Sequence, residues 1–262
     1  MIKIFVTDMD HTFLDEESNL PLETQNIIDR LEQEERMFIV ASGRTLTNLE
    51  NKFKDYDHSL TFIADNGGIL KHKGEILHIE ILDEDVVVDT INQFKKAKDS
   101  VTVVIKADMA YIEDDRADYK DYIDEFYTNL TVVDNLLDYT KNVVKITGLS
   151  FTSSQDNFNN YINGKLDESV YPIEAGSRWI DVMNKGVNKA KALEVIMNKY
   201  DISSDHVVSF GDYFNDLELI QNVKYGYVVE NGVEGLKKHA YEVIGKNTDN
   251  AVINKILEHL DK

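Results

Sequence analysis

The chain has 262 residues, 42% of them hydrophobic and 29% charged, which describes an ordinary globular protein with room for one large core or two modest ones, not a disordered or fibrous chain. A formal net charge of -20 argues against nucleic acid or an anionic membrane surface as partner, because both are bound mainly through Lys and Arg. The lack of cysteine excludes a disulfide framework, a thiolate zinc site and a cysteine nucleophile; with no signal-peptide pattern and no apolar run near the roughly 20 residues of a membrane helix, a cytoplasmic protein is expected.

In chain order, Ile2, Ile4, Phe5 and Val6 form a short apolar run that stops at Asp8 and Asp10, as a buried strand of a parallel sheet does where it reaches solvent. Residues two apart in an extended chain share a face, so both carboxylates can address one small volume; two solvated aspartates in a strand-to-loop turn fit the same letters. Pro21 to Glu35 carries Ile27, Ile28 and Leu31 at helical spacing, with Pro21 suited to a first turn. Met37 to Ala41 predicts a second buried strand, ending at Ser42-Gly43-Arg44. Leu46, Leu49 and Phe53 predict a helix, and Leu60 to Ala64 a third strand that ends in Asp65-Asn66-Gly67-Gly68. Strand, helix, strand, helix, strand is the order of a parallel sheet covered by helices, whose ligands gather at the carboxyl ends of the strands.

The rhythm then changes. Ile69 to Ile79 predicts a hairpin turning at Lys73-Gly74, Val86 to Phe94 a helix, and Val101 to Ile105 with Tyr111 to Glu113 paired strands. Arg116 to Tyr127 reads as an acidic helix with a solvated face, Val143 to Phe151 as a strand, Phe158 to Leu166 as a helix. Val170 to Ala175 and Trp179 to Met183 read as strands flanking a Gly176-Ser177 turn. Helices mixed with antiparallel pairs point to an α+β unit inserted into the first domain. From Asn188 the first rhythm returns: a helix through Ala192, Leu193, Ile196 and Met197, a strand Val207 to Phe210 ending in Gly211-Asp212, and a short helix Leu217 to Ile220. A strand Tyr225 to Val229, a helix Val233 to His239 capped by Asn231, a strand at Val243-Ile244 and a closing helix Ala251 to Leu260 follow. The expected fold is α/β, a doubly wound, mostly parallel, Rossmann-like core of residues 1–81 and 185–262 with an inserted α+β cap of residues 82–184.

The carboxyl ends of the core strands thus carry Asp8 and Asp10, then Ser42, then Asp212 with Asn215 and Asp216, and Lys189 opens the helix that re-enters the core. Hard oxygen ligands without a His or Cys cluster suit Mg2+ rather than zinc. An anionic substrate would need local positive charge against the field of an acidic protein.

These segments resemble a family. Asp8-Met9-Asp10-His11-Thr12, Ser42-Gly43-Arg44, Lys189 in GVNKAKAL, and Gly211-Asp212-Tyr213-Phe214-Asn215-Asp216 are similar to the ordered motifs of the haloacid dehalogenase-like phosphatases, and an insert between the second and third motifs is the arrangement of Cof-type members with a type-two cap. The motifs are individually short, but their joint order after predicted strands is specific and the resemblance runs nearly the full length. His11 stands where the family usually has glycine, and the segment around Lys189 lacks the glycine that commonly follows the motif lysine. His11 is read as structural.

The resemblance implies a Mg2+-dependent phosphomonoester hydrolase acting on small phosphorylated metabolites such as sugar phosphates. Asp8 would be the nucleophile that forms an aspartyl-phosphate and Asp10 the general acid and base. Asp8 and Asp212 would bind Mg2+ through carboxylates and Asp10 through its backbone carbonyl, while Asp216 would orient them from behind. Ser42, Lys189 and Asn215 would hold the phosphoryl oxygens. Gly43, Arg44, Asn66 and Arg178 are weaker substrate-binding candidates.

Each residue also has a plainer role: Ser42 as a turn residue, Asp216 as a helix cap, Arg44 paired with a local acid, Asn66 as half of an Asn-Gly turn, and Lys185 or Lys191 in place of Lys189. Two rivals use the same chemistry in part. A phosphosugar mutase of the phosphomannomutase kind would return the phosphoryl group to another hydroxyl, and a non-hydrolytic phosphate-binding module would keep it on Asp8. A monomer or weak homo-oligomer is expected.

Overall fold

All of strand β1 (Ile4–Thr7) is buried, and it lies at the centre of a sheet assembled in the computed structural model from segments far apart in sequence. The structure describes residues 1–56, 60–97, 99–113, 123, 124, 126–151, 153–175 and 178–261. The chain forms two units, one of Met1–Gly43, Phe53–His78 and Asn188–Lys262, the other of Arg44–Lys52 and Ile79–Val187.

In the first unit, β1 is followed by β2 (Met37–Ala41), β3 (Thr61–Ala64), β4 (Ile69–His72) and β5 (Glu75–Ile79). The second unit contributes β6 (Ser100–Ile105), β7 (Ala110–Ile112), β8 (Leu130–Val132), β9 (Lys145–Ser150), β10 (Val170–Ala175) and β11 (Trp179–Asn184). The chain then returns to the first unit with β12 (Val207–Gly211), β13 (Tyr225–Val229) and β14 (Glu242–Ile244).

Among the described residues the first sheet has the order β14-β13-β12-β1-β2-β3-β4-β5. Pairing is parallel from β14 to β3 and antiparallel between β3 and β4. From β1 the chain winds outward through β2 and β3, then restarts on the other flank at β12 and winds outward through β13 and β14. The reversal falls between β1 and β12, with Ile4 opposite Val207 and Thr7 opposite Phe210, so the carboxyl ends of those two strands form the switch point where such sheets bind ligands.

Helix Thr24–Gln33 buries Thr24, Ile27, Ile28 and Leu31, one stripe at helical spacing. Pro21 sits just before the helix, and its carbonyl accepts from the Thr24 amide (3.1 Å) and hydroxyl (2.6 Å). Helix Lys189–Lys199 packs Ala192, Leu193 and Ile196 against Ile4, Val6, Ile39 and Val207 of the sheet. The predicted hairpin turns where predicted, through Lys73 (φ 49°) and Gly74 (φ 83°), the pair of positive φ values that a tight hairpin demands.

The second unit is built on a sheet of order β10-β11-β9-β6-β7-β8, antiparallel except between β7 and β8. Alternate residues of β6 feed different apolar clusters: Val104 packs with Phe94 and Ile91 of helix Glu84–Phe94, while Val101, Val103 and Ile105 pack with Ile123, Tyr127 and Leu149. Trp179, partly buried, packs against that second cluster. The short helix Leu46–Lys52 belongs to this unit, where the Asn48 side-chain amide donates to the Phe126 carbonyl (3.2 Å).

Several local expectations are corrected. Phe158 to Leu166 is not an α-helix; a short helix Ser154–Asn157, capped by the Ser153 hydroxyl, runs into a π-turn Phe158–Ile162. β8 was not anticipated. Helix Glu234–Lys237 has Val233 at its cap, and Asn231 bonds elsewhere. The acidic helix expected from Arg116 to Tyr127 falls largely outside the described residues, as does the Gly176-Ser177 turn. No helix among the described residues is long and apolar enough to cross a membrane.

His72 of β4, 5% exposed, shares a hydrogen bond with the Thr61 hydroxyl of β3 (2.6 Å) and another with the Tyr200 hydroxyl (2.7 Å). Burial, with Lys73 and Lys199 nearby, pushes its pKa below the ordinary imidazole value of 6.5. The unfolded chain therefore takes up the proton first on acidification, and stability is lost as the pH falls below 6.5. In chemical denaturation across that range, the stability gap between wild type and His72→Gln is expected to narrow as the pH drops; a gap independent of pH would contradict this.

Candidate active site

The site grows from the ends of β1 and β12. Asp8 follows β1 directly; its backbone N–H donates to the Phe210 carbonyl (3.0 Å), so the strand ladder fixes the residue, which is only 5% exposed. Strand alternation does not place Asp10. β1 ends at Thr7, and residues Met9–Phe13 close a π-type turn in which the Leu14 amide returns to the Met9 carbonyl (2.9 Å). Asp10, half-buried, sits in that turn with extended backbone (φ -71°, ψ 128°). His11 follows at φ 59°, the left-handed region that glycine enters freely. Its carbonyl accepts from the Asn231 side-chain amide (2.7 Å), while Asn231 Oδ1 accepts from the Asn247 amide (3.0 Å) and Asn247 Nδ2 donates to the Leu14 carbonyl (2.8 Å). Asn231 thus helps to brace the turn rather than capping a helix.

Lys189 opens its helix behind Asn188, whose side chain accepts from the Lys191 amide (2.9 Å). Of the three lysines in this stretch, Lys185 and Lys191 are exposed and Lys189 is fully buried. Its ammonium donates to Asp8 Oδ1 (2.5 Å) and to Asp216 Oδ1 (2.6 Å). Asp216, fully buried, uses its other oxygen to accept from the Asp212 amide (3.1 Å) and the Tyr213 amide (3.4 Å), and it makes no side-chain cap to the helix that follows. The loop after β12 is therefore folded back onto Asp216. Gly211 permits this, since a Cβ there would lie 2.6 Å from the Asp216 side chain.

Asp212 is half-buried beside them, and its Oδ1 accepts from the Thr12 hydroxyl (3.2 Å). The reading of the sequence missed Thr12, which is 1% exposed. Its signal was its place in the Asp8-to-Thr12 segment, two residues after Asp10 on the same turn.

Carboxylate oxygens of Asp8, Asp212 and Asp216 lie within 4.8 Å of one another, so three acids face one ammonium. Burial raises the Asp8 carboxyl well above its ordinary range; Lys189 opposes this, and Asp216, Asp212 and Asp10 add to it. Burial and then Asp216 push Asp212 up to about 6, against Lys189 and Thr12. Burial alone would depress the Lys189 ammonium, but Asp216 and Asp8 outweigh it and hold its pKa above the usual lysine value. A converging set of oxygen donors with surplus negative charge fits a hard divalent cation.

Ser42, 1% exposed, ends β2: its amide donates to the Ile63 carbonyl (2.8 Å) and its carbonyl accepts from the Asn66 amide (2.9 Å). Asn215 is exposed and donates through Nδ2 to Asn66 Oδ1 (3.1 Å). Asn66 in turn lies over Gly43, where a Cβ would meet its amide at 3.1 Å. Asp8, Asp212, Asp216 and Lys189 are thus brought together, and Ser42, Gly43, Asn66 and Asn215 are linked in the same unit. Arg44 and Arg178 belong to the second unit. The Arg44 guanidinium donates to Asn48 Oδ1 (3.1 Å), and Arg178, exposed, accepts through its carbonyl from the Ser150 amide (2.7 Å).

Comparison with known proteins places nearly the whole chain in a family and matches its fold. A family model described as haloacid dehalogenase-like hydrolase matches residues 5–256. The 5-amino-6-(5-phospho-D-ribitylamino)uracil phosphatase of Escherichia coli is 24% identical, with 98% of this chain and 97% of that protein covered. A Bacillus subtilis phosphatase of the same description is 22% identical over the same shares. A solved structure from Streptococcus mutans superposes with a TM-score of 0.89 at 23% identity, each chain covered in full.

Because Asp212 is protonated more readily in the fold than at its ordinary 3.8, its charge costs stability progressively as the pH rises from about 4 to about 6, and fully above that. Asp212→Asn is therefore expected to raise the melting temperature in EDTA at pH 7.5, and Mg2+ is expected to raise that of the wild type but not that of the variant. Melting curves with and without Mg2+ check this; an Asn variant less stable in EDTA, or still responsive to Mg2+, would contradict it.

Proposed function

Because the chain belongs to the haloacid dehalogenase-like hydrolases and is a phosphatase, we propose that it hydrolyses small phosphomonoesters with Mg2+ by way of a phosphoryl group carried on Asp8. The observation that carries this reading is the buried Lys189 ammonium set between Asp8 and Asp216 at the ends of β1 and β12.

Asp8 is the nucleophile. One carboxylate oxygen attacks phosphorus as the ester oxygen leaves, so a difficult hydrolysis becomes two displacements. Lys189 holds the carboxylate in place through its 2.5 Å contact and offers positive charge to the phosphoryl oxygens, where charge is spread in the transition state. Asp10, on the turn after Asp8, gives its proton to the departing alkoxide and then takes one from the water that attacks the acyl phosphate. Asp216 fixes both Lys189 and the backbone of Asp212, so the acid pair and the ammonium keep one geometry through the cycle. Asp8, Asp212 and the carbonyl of Asp10 would hold Mg2+, which when bound neutralises surplus carboxylate charge and favours ionised Asp8. Ser42 and Asn215 supply further donors to the phosphoryl oxygens.

The substrate class is a small phosphate ester of a sugar or sugar-derived alcohol. The ribitylaminouracil phosphate named for two relatives is one such ester, and it belongs in a panel with hexose and pentose phosphates.

Incubation of the purified protein with such a panel and Mg2+ is expected to release inorganic phosphate; a positional isomer formed without release would instead indicate a mutase. Asp8→Asn is expected to abolish turnover while leaving the fold intact, as read by circular dichroism. Asp10→Asn should slow both half-reactions by at least about a hundredfold. Either variant turning over at a near-normal rate would refute the role given to it.

A further inference from the structure

Segments that the proposed reaction needs meet at a turn to which it assigns no task. After β3 the chain passes through Asp65, Asn66 and Gly67 with φ of 49°, 52° and 103°, consecutive left-handed residues that reverse the chain sharply. Within that turn the Asn66 amide N–H donates to the Ser42 carbonyl (2.9 Å), and Asn66 Oδ1 accepts from Asn215 Nδ2 (3.1 Å). The Asn66 side chain covers Gly43, where there is no Cβ to displace it. Gly67 is pressed against the start of the Lys189 helix, since a Cβ there would lie 2.2 Å from the Asn188 carbonyl oxygen. The turn therefore touches the end of β2, the loop after β12 and the cap of the Lys189 helix at once.

We propose that Asn66 is a positioning residue for the phosphoryl cradle: its main chain fixes Ser42, its side-chain amide fixes Asn215, and the turn it belongs to sets the start of the Lys189 helix. The inference rests on the reading of Ser42, Asn215 and Lys189 as phosphoryl-binding groups. Asn215 is exposed, and an exposed amide loses rotamer freedom when it grips a ligand. The bond to Asn66 removes that freedom before substrate arrives, which is how a fixed donor gains effect in the transition state. The residue type fits the task. Asparagine tolerates positive φ better than other side chains with a comparable acceptor, and glycine would supply the backbone without the amide. Aspartate would keep an acceptor but place a negative charge beside the phosphoryl group.

The test uses Asn66→Gly, which keeps the left-handed backbone, together with Asn215→Ala and the double variant. Steady-state hydrolysis of an aryl phosphate and competitive inhibition by inorganic phosphate are measured with Mg2+, alongside melting temperature. Asn66→Gly is expected to weaken phosphate inhibition and to lower kcat/KM, each about tenfold, with the melting temperature unchanged or higher. The double variant should be no worse than Asn215→Ala alone, because both changes break the same hydrogen bond. Phosphate inhibition of Asn66→Gly at the wild-type level, losses that multiply in the double variant, or a fall in activity that only tracks a fall in melting temperature would each overturn the proposal. Inhibition of the wild type by phosphate, and the inactivity of Asp8→Asn, test the underlying reading separately. If those hold while Asn66→Gly behaves as wild type, the positioning role alone fails.

Discussion

The candidate site depends on the buried ammonium of Lys189. Lys189 has no exposed surface, and removing an ammonium from water costs several kcal/mol unless charged partners replace the lost hydration. Asp8 and Asp216 provide this at 2.5 and 2.6 Å, from segments 181 and 27 residues away in the chain. The same contacts leave Asp212 close to Asp216 without a cation of its own, so the cluster is a surplus of negative charge held by the fold. A surplus of this kind weakens the fold, and a bound cation would relieve it. The buried ammonium also answers how a chain of net charge -20 can receive a phosphate: positive charge is placed at one point, inside the fold, where little solvent screens it.

Topology makes that placement possible. β1 and β12 are neighbours because the sheet reverses its winding between them, which brings Asp8 and Asp212 to one edge. Helix Lys189–Lys199 packs across the sheet on Ala192, Leu193 and Ile196, so its first residue arrives at the same edge. Gly211 then lets Asp216 lie against the backbone, and Asp216 spends one oxygen on Lys189 and the other on the loop that carries Asp212. Apolar packing sets the frame, and a small network of charge-assisted hydrogen bonds sets the chemistry within it.

Much of this was legible in the sequence because the core strands are continuous apolar runs that end abruptly in polar residues. Met37–Ala41, Tyr225–Val229 and the closing helix Ala251–Leu260 fall where periodicity puts them, and Asp8, Ser42, Asp212 and Lys189 follow as residues at strand ends or a helix start. What was not legible depends on partners distant in sequence or on local geometry without a period. β8 is three residues with mostly exposed side chains, so burial wrote no pattern into it. Asn231 reads as a cap from its neighbours, yet its side chain turns to His11, 220 residues away. Thr12 and Asn66 gain their importance from Asp212 and Asn215, which no spacing rule connects to them. Asp10 shares a site with Asp8 through a π-type turn, not through strand alternation.

In the proposed reaction a carboxylate oxygen of Asp8, within this charged cluster, attacks phosphorus and carries the phosphoryl group. The most direct measurement is peptide mass spectrometry of the wild-type enzyme, quenched in acid while turning over an aryl phosphate with Mg2+. The account predicts added phosphoryl mass on the peptide containing Asp8, lost when the sample is brought to a pH at which acyl phosphates hydrolyse. Phosphoryl mass on another residue, or rapid turnover under the same quench with no covalent adduct at Asp8, would contradict it.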